Sequence, residues 1–390
     1  MVRSSPQTFA SPAGAGLQPA PQSNAARSDE LLPFLNNFHD VFTSVGVAIL
    51  FAGIAVTNGY VVGLLEGADM RFALDAGLTA SLIITALAAW LVSLLLVGHM
   101  RRLLPGILLS LIFTITAAWL LIYLYVRLLI GEDGMEGLGA LFDPSSLFAE
   151  DETGVSRVLP PEDLRLRLFP VFAALAVTAP ALLYYRSFAL PFAGALTGVG
   201  LVTVASMAVL AADPHVFLVF NPVITLAFGL ALFIAGLWYD GRDPERETRL
   251  SGTGFWLHLF AAPVLLSGVV TVVNLGWRWD EAFMDAEALS GLRSAVATLI
   301  VIFAFSLVSL MINRRALIVS GLVTAGIATA VLMGELGLAG TPVLALTLLV
   351  LGGFVVVLSA AWNPLRAVLL APFPKTGPVA RLFPPVSREG

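Results

Sequence analysis

Chemistry needs donors, acceptors or nucleophiles held at fixed spacing, and this chain offers few of them. It has no cysteine, which removes thiolate metal sites, cysteine nucleophiles and disulfides. Its four histidines, His39, His99, His215 and His258, are scattered, and three lie near expected helix ends, where imidazole commonly serves as an amphipathic side chain. HExxH, GxSxG and P-loop patterns are absent. The glycine pairs near Gly137 and Gly198 lack a third glycine and a preceding strand, so they do not read as nucleotide loops. What remains are polar groups set in or beside apolar runs: Asn58, Asn221 next to Pro222, Asn274 and Glu335. Such a group can hydrogen-bond a solute, or it can bond a neighbouring helix for about 1 kcal/mol. These five residues are the candidate substrate-binding set. No catalytic residue, metal ligand or cofactor is expected, and the chain is read as a non-enzyme.

The elements that must position them are membrane spans. The chain is 58% hydrophobic and 12% charged, about half the ~25% charged content of soluble domains. Apolar runs of ~18 residues or more recur along its length. Ten spans are predicted, near 41–64, 76–98, 103–129, 168–185, 189–211, 216–239, 255–276, 293–312, 315–334 and 341–361. The fourth is short and interrupted by Pro180. The fold class is therefore all-α, a polytopic transmembrane helix bundle of about ten spans. Within the span cores no Asp, Glu, Lys or Arg is expected; Arg127 comes closest, in a last turn from which it can snorkel outward.

Orientation follows from basic residues. An N-in, C-in arrangement places fourteen of the 21 Lys and Arg on the inner side, among them Arg101, Arg102, Arg186, Arg314 and Arg315. Carboxylates divide the other way, with eight of 26 inside. Trp238, Trp256, Trp362, Trp277 and Trp279 fall at span ends as interfacial anchors should, whereas Trp90 and Trp119 lie mid-span, where packing explains them. Residues 1–38 read as a disordered cytoplasmic tail, 39–362 as the bundle with an acidic outer loop at 130–167, and 363–390 as a proline-rich cytoplasmic tail. In that tail "PLRAVLLA" could form a short interfacial helix with basic side chains near headgroups. The outer loop reads as a solvated connector with a short amphipathic piece.

Three turns resemble one another, "GHMRRLLPG", "YYRSFALP" and "INRRALIV", as short inner-side turns that each carry Arg. The Asn221-Pro222 pair admits two readings. Either the helix continues through Pro222 and kinks, or a helix starts there with Asn221 as N-cap and Pro222 at the first helical position; Thr341-Pro342, which opens the tenth span with the same chemistry, favours the start. Gly194-x-x-x-Gly198, Gly321-x-x-x-Ala325 and Gly326-x-x-x-Ala330 mark places for close helix approach.

"FLNNFHDVFTSVGVAILFAGIAV" and "WNPLRAVLLAPFPKTGPVARLFPPV" resemble the ends of uncharacterised polytopic bacterial inner-membrane proteins of the domain-of-unknown-function type. That resemblance implies a multi-pass protein of the bacterial inner membrane and carries no ligand residues. With Arg outnumbering Lys twenty to one, composition also fits a GC-rich bacterium. The function expected is a permease-like carrier of a small neutral or lipophilic solute. The alternative is a non-transporting scaffold that engages an envelope partner through its acidic loop, and third comes an intramembrane enzyme acting on lipid. The expected partners are the lipid bilayer and a small-molecule solute, with no nucleic acid.

Overall fold

The computed structural model describes residues 38–65, 70–140, 148–150, 156–158, 162–243, 249–275, 292–338, 340–374, 377 and 383. The expected N-terminal tail, Trp277, Trp279 and the Asn274 side chain lie outside the described residues. Among the described residues ten helices are long and apolar enough to cross a membrane, and the chain is an all-α polytopic bundle. They are α1 (Phe38–Leu65), α2 (Met70–Ser93), α3 (Leu104–Tyr125), α5 (Leu164–Phe188), α6 (Pro191–Ala212), α8 (Asn221–Arg242), α9 (Arg249–Leu275), α10 (Leu292–Ile312), α11 (Ala316–Glu335) and α12 (Thr341–Ala360). Three short helices accompany them: α4 (Met135–Ala140), α7 (Pro214–Val219) and α13 (Trp362–Leu370). Helices α2 and α3 each end in a π-helical stretch, Leu94–His99 and Val126–Ile130. The acidic loop is more than a connector. It holds an antiparallel ribbon of β1 (Phe148–Glu150) and β2 (Ser156–Val158), with Ala149 opposite Arg157.

The fourth span is longer than its sequence suggests, because the chain builds it a proper start. Asp163 accepts the Arg165 N–H at 2.9 Å as N-cap, while the Arg165 side chain returns to the same carboxylate and also donates to the Leu129 carbonyl at 2.8 Å. The hydrogen bonds from Arg165 hold the Asp163 carboxyl below its ordinary pKa. Pro170 and Pro180 sit inside this helix without ending it.

The Asn-Pro pair does start a helix, and α7 is the lead-in. Asp213 caps α7 by accepting from the Val216 N–H at 3.0 Å. Phe220, not Asn221, then holds the N-cap place of α8. Asn221 becomes the first helical residue, and Pro222 is buried in the first turn, where its missing N–H would have had no partner anyway.

The three Arg-bearing turns share one backbone device. Arg101, Ala189 and Asn313 all take left-handed conformations, at φ 55°, 48° and 55°, the conformation that closes helix C-termini. Only Asn313 is a residue type that accepts it readily.

Helices α1 and α12 are the least buried spans, and side chains such as Phe42 and Leu349 face outward, where acyl chains would meet them. Trp119 does likewise at 61% exposure, which corrects the packing expected of it. Trp90 does pack, against Phe113 and Phe188 at 5.1 and 5.0 Å between ring centroids. Trp362 and Arg366 were placed at the interface by sequence. Both are buried, and Arg366 Nε donates to the Leu310 carbonyl at 2.9 Å.

Gly194 and Gly198 meet neighbouring side chains closely as expected, an added Cβ lying 2.7 Å from Tyr185 Cε2 and 2.9 Å from Leu257 Cδ2, but the closest approach to another helix's backbone falls at two unexpected glycines. A Cβ on Gly229 of α8 would lie 2.7 Å from the Leu265 backbone nitrogen, and one on Gly268 of α9 would lie 2.8 Å from Leu226 Cα. Gly321 and Gly326 have only ordinary contacts, at 3.7 and 3.6 Å. Backbone cannot step aside as a side chain can, so overpacking here should cost about 1–3 kcal/mol. Gly229→Val and Gly268→Val should each lower the thermal midpoint in detergent, and Gly352→Val, where nothing lies within 4 Å of an added Cβ, should leave it unchanged.

Candidate functional site

The same crossing continues to the end of the bundle that carries the basic turns, and there it closes on polar groups. Gly236 and Asp240 lie one turn apart on α8, as do Gly254 and His258 on α9. Each glycine makes room for the other helix's polar residue. A Cβ on Gly236 would stand 2.8 Å from His258 Cε1, and one on Gly254 would collide with Asp240 Oδ1. The two glycines therefore let a carboxylate and an imidazole meet between helices, with His258 Nε2 3.0 Å from Asp240 Oδ2. An ionised carboxylate only accepts, so Nε2 carries the proton of that bond.

The third member comes from the α10–α11 turn. Asn313 turns the chain left-handed, and Arg314 N–H then donates to the Ser309 carbonyl at 3.0 Å. The Ser309 hydroxyl donates to the Arg314 carbonyl in return. Thus pinned, Arg314 projects into the bundle. Its Nε donates to Asp240 Oδ2 at 2.9 Å and its Nη2 to Oδ1, the bidentate geometry that suits guanidinium to carboxylate. Arg314 and His258 are wholly buried, and Asp240 is 7% exposed.

Sequence reasoning missed this cluster. It ended the sixth span at 239 and left Asp240 in a loop, whereas α8 runs to Arg242, so a buried charge does lie within a span. It grouped Arg314 with solvated turn arginines and weighed His258 no differently from the other three. Those three, His39, His99 and His215, are exposed.

One turn deeper than His258, on the same face of α9, Ala262 begins the wall of a narrow crevice between α9, α10 and α11. Leu266, Phe305, Ser306, Leu317 and Gly321 continue it. Its interior has room for about one water molecule. The lining is apolar except at Ser306, whose hydroxyl donates to the Ile302 carbonyl at 2.9 Å.

The sequence-derived candidates lie elsewhere. Asn58 on α1 donates to the Thr85 hydroxyl at 3.2 Å and the Ser81 carbonyl at 3.4 Å, both on α2. Asn221 accepts from the Thr225 hydroxyl at 3.4 Å within its own helix, and Pro222 is buried beside it. Glu335 is exposed at the end of α11. Asn274 belongs to the last turn of α9. Asn221 and Pro222 are chain neighbours; the amides with described side chains bond to adjacent or local partners instead of to one another.

At the opposite end, Arg127 does not simply snorkel. It pairs with Asp75, which also accepts from the Tyr123 hydroxyl at 2.7 Å. Both members are partly exposed, so this pair contributes about 0–1 kcal/mol. Among the described residues no group of three or more His, Cys, Asp or Glu could hold a metal ion.

Comparison with protein families, curated proteins and solved structures gives no match for this chain.

Removing one partner of a buried ion pair strands the other charge, at about 3–5 kcal/mol, while replacing both with apolar side chains is often neutral. Asp240→Leu and Arg314→Met should each destabilise the protein strongly in thermal melts. The double variant should be more stable than either single one. A double variant as unstable as the summed singles would show that the two do not act as a unit.

Proposed function

We propose that this protein is a permease-like carrier of a small neutral or lipophilic solute, with the crevice between α9, α10 and α11 as part of its path. The observation that carries the reading is the buried Asp240–His258–Arg314 cluster, whose His258 and Arg314 stand four and three residues along the chain from the crevice residues Ala262 and Leu317. Ionisable groups inside a helical membrane bundle are costly, and where they persist they commonly mark solute or ion paths. An apolar lining with a single hydroxyl suits a solute without charge. In this reading the cluster is a closed gate and no catalytic step occurs.

The test is stopped-flow light scattering of proteoliposomes challenged with glycerol or urea. Wild-type protein should swell the vesicles faster than protein-free lipid does, and Gly321→Leu, which fills the crevice, should return the rate to that of bare lipid. Equal rates with and without wild-type protein would remove the reading for neutral solutes.

The bias of Lys and Arg supports an N-in, C-in arrangement in a bacterial inner membrane. In intact spheroplasts Ser156→Cys should then react with an impermeant thiol reagent and Thr248→Cys should not. The paired ribbon β1–β2 favours one second reading, a scaffold that docks an envelope partner on this loop. Loss of a co-purifying complex on deletion of about 135–160 would support the scaffold, and its retention would discard it.

A further inference from the structure

Helices α5 and α8 both end at the basic side of the bundle, and both pack on α6 while scarcely meeting each other. Their ends are nevertheless joined by a pair of phenols, since the Tyr185 and Tyr239 hydroxyls hydrogen-bond to one another. Gly194 of α6 makes that reach possible. A Cβ there would lie 2.7 Å from Tyr185 Cε2, so the ring rests on α6 where any side chain would displace it. Arg186 follows Tyr185, and Arg242 stands three residues beyond Tyr239. Both arginines are exposed. The Arg242 guanidinium lies 3.5 Å over the Trp238 ring, a contact that keeps the cation at the edge of an apolar surface.

That surface continues along the helix. Leu230, Ile234 and Trp238 recur at every fourth residue of α8 and are all exposed, so they share one face, and Arg242 continues the register. On α5, Leu175, Ala179 and Leu183 form a matching exposed strip that finishes at Arg186. Charge at this corner is one-sided. Helices α5 and α6 contain no Asp or Glu. Helix α8 has only Asp240, which is buried against Arg314, and Asp243 just beyond it is buried as well. None of the three helices therefore sets an exposed carboxylate beside Arg186 or Arg242.

We propose that this corner is a binding site for one anionic phospholipid of the leaflet at the basic end, its phosphate held by Arg186 and Arg242 over the Tyr185–Tyr239 pair and its acyl chains lying on the strips of α5 and α8. Guanidinium groups suit phosphate oxygens, and basic pockets between helix ends are where anionic headgroups bind. The apolar strips select a lipid over free phosphate, which would leave them uncovered. A zwitterionic headgroup brings its own cation to the phosphate and gains less from two arginines. The site does not depend on the carrier reading.

Native mass spectrometry of the full chain in detergent, given equal amounts of dioleoyl phosphatidylglycerol and dioleoyl phosphatidylcholine, measures the preference. Wild-type protein should retain one phosphatidylglycerol in preference. Arg186→Gln and Arg242→Gln should each weaken that binding by about fivefold. Tyr239→Phe, which removes the bridge without changing charge, should weaken it as well. Arg101→Gln, at an exposed arginine of another turn, should leave it unchanged. Inorganic phosphate at matching concentration should not displace the lipid. Wild-type protein without a preference would overturn the proposal, and so would displacement by phosphate, which would make the corner a site for a free ion. Equal losses from Arg101→Gln and Arg242→Gln, or no loss from Tyr239→Phe, would overturn it too, since binding would then follow net charge and not this geometry.

Discussion

The guanidinium of Arg314 is held inside this bundle by Asp240, which meets it with both carboxylate oxygens. Taking an ion out of water costs several kcal/mol even after relaxation, and a close, well-oriented opposite charge is what offsets it. That requirement reaches outward. Asp240 needs Gly254 opposite it, and His258 needs Gly236. Arg314 needs the left-handed Asn313 and the paired bonds of Ser309. Asn313 in turn receives Trp362, so α13 is tied to the same turn. Asp40 and Arg102 make a second, less enclosed pair at the same end; around Asp240 and Arg314 the facing glycines, Asn313 and Ser309 all serve that pair's geometry.

The spans were legible because apolar run length is a property of the segment alone, and the bilayer imposes it on every segment alike. The start of α8 at the Asn-Pro pair was legible for a similar reason, since proline's missing N–H restricts where a helix can continue. The cluster was not, because it depends on which helix faces which. Asp240 and Arg314 each look like ordinary residues of a polar turn, and their 74-residue separation hides their meeting. One signal was present: Gly236-x-x-x-Asp240 and Gly254-x-x-x-His258 repeat on consecutive helices. A smooth notch one turn from a polar group on both members of a hairpin is what a buried polar contact between them requires. The asparagines misled for the complementary reason. An amide within a span bonds whatever acceptor lies nearest, as Asn58 does with Thr85 and Ser81, so polarity in a span is no evidence of a solute.

The two ends of the bundle handle charge differently. Where the acidic loop emerges, Asp75, Arg127, Asp163 and Arg165 pair while partly exposed, and water shares their solvation. At the basic end the turns are short, their left-handed residues bring adjacent helices back at once, and no long loop intervenes between α10 and α11. At the α10–α11 turn Arg314 is drawn into the protein interior, whereas Arg101 and Arg186 of the other two turns stay exposed. One tight turn thus carries an arginine of the basic side into a buried network.

That burial gives the network a property an exposed pair lacks. Breaking the pair while it is sealed costs about 3–5 kcal/mol; once water reaches the same groups, the pair holds by only about 0–1 kcal/mol. The energy that keeps α8, α9 and the α10–α11 turn together therefore depends on whether water is excluded, and water is excluded only while they are together. Such mutual dependence favours two states, closed and dry or open and wet, over a continuum between them.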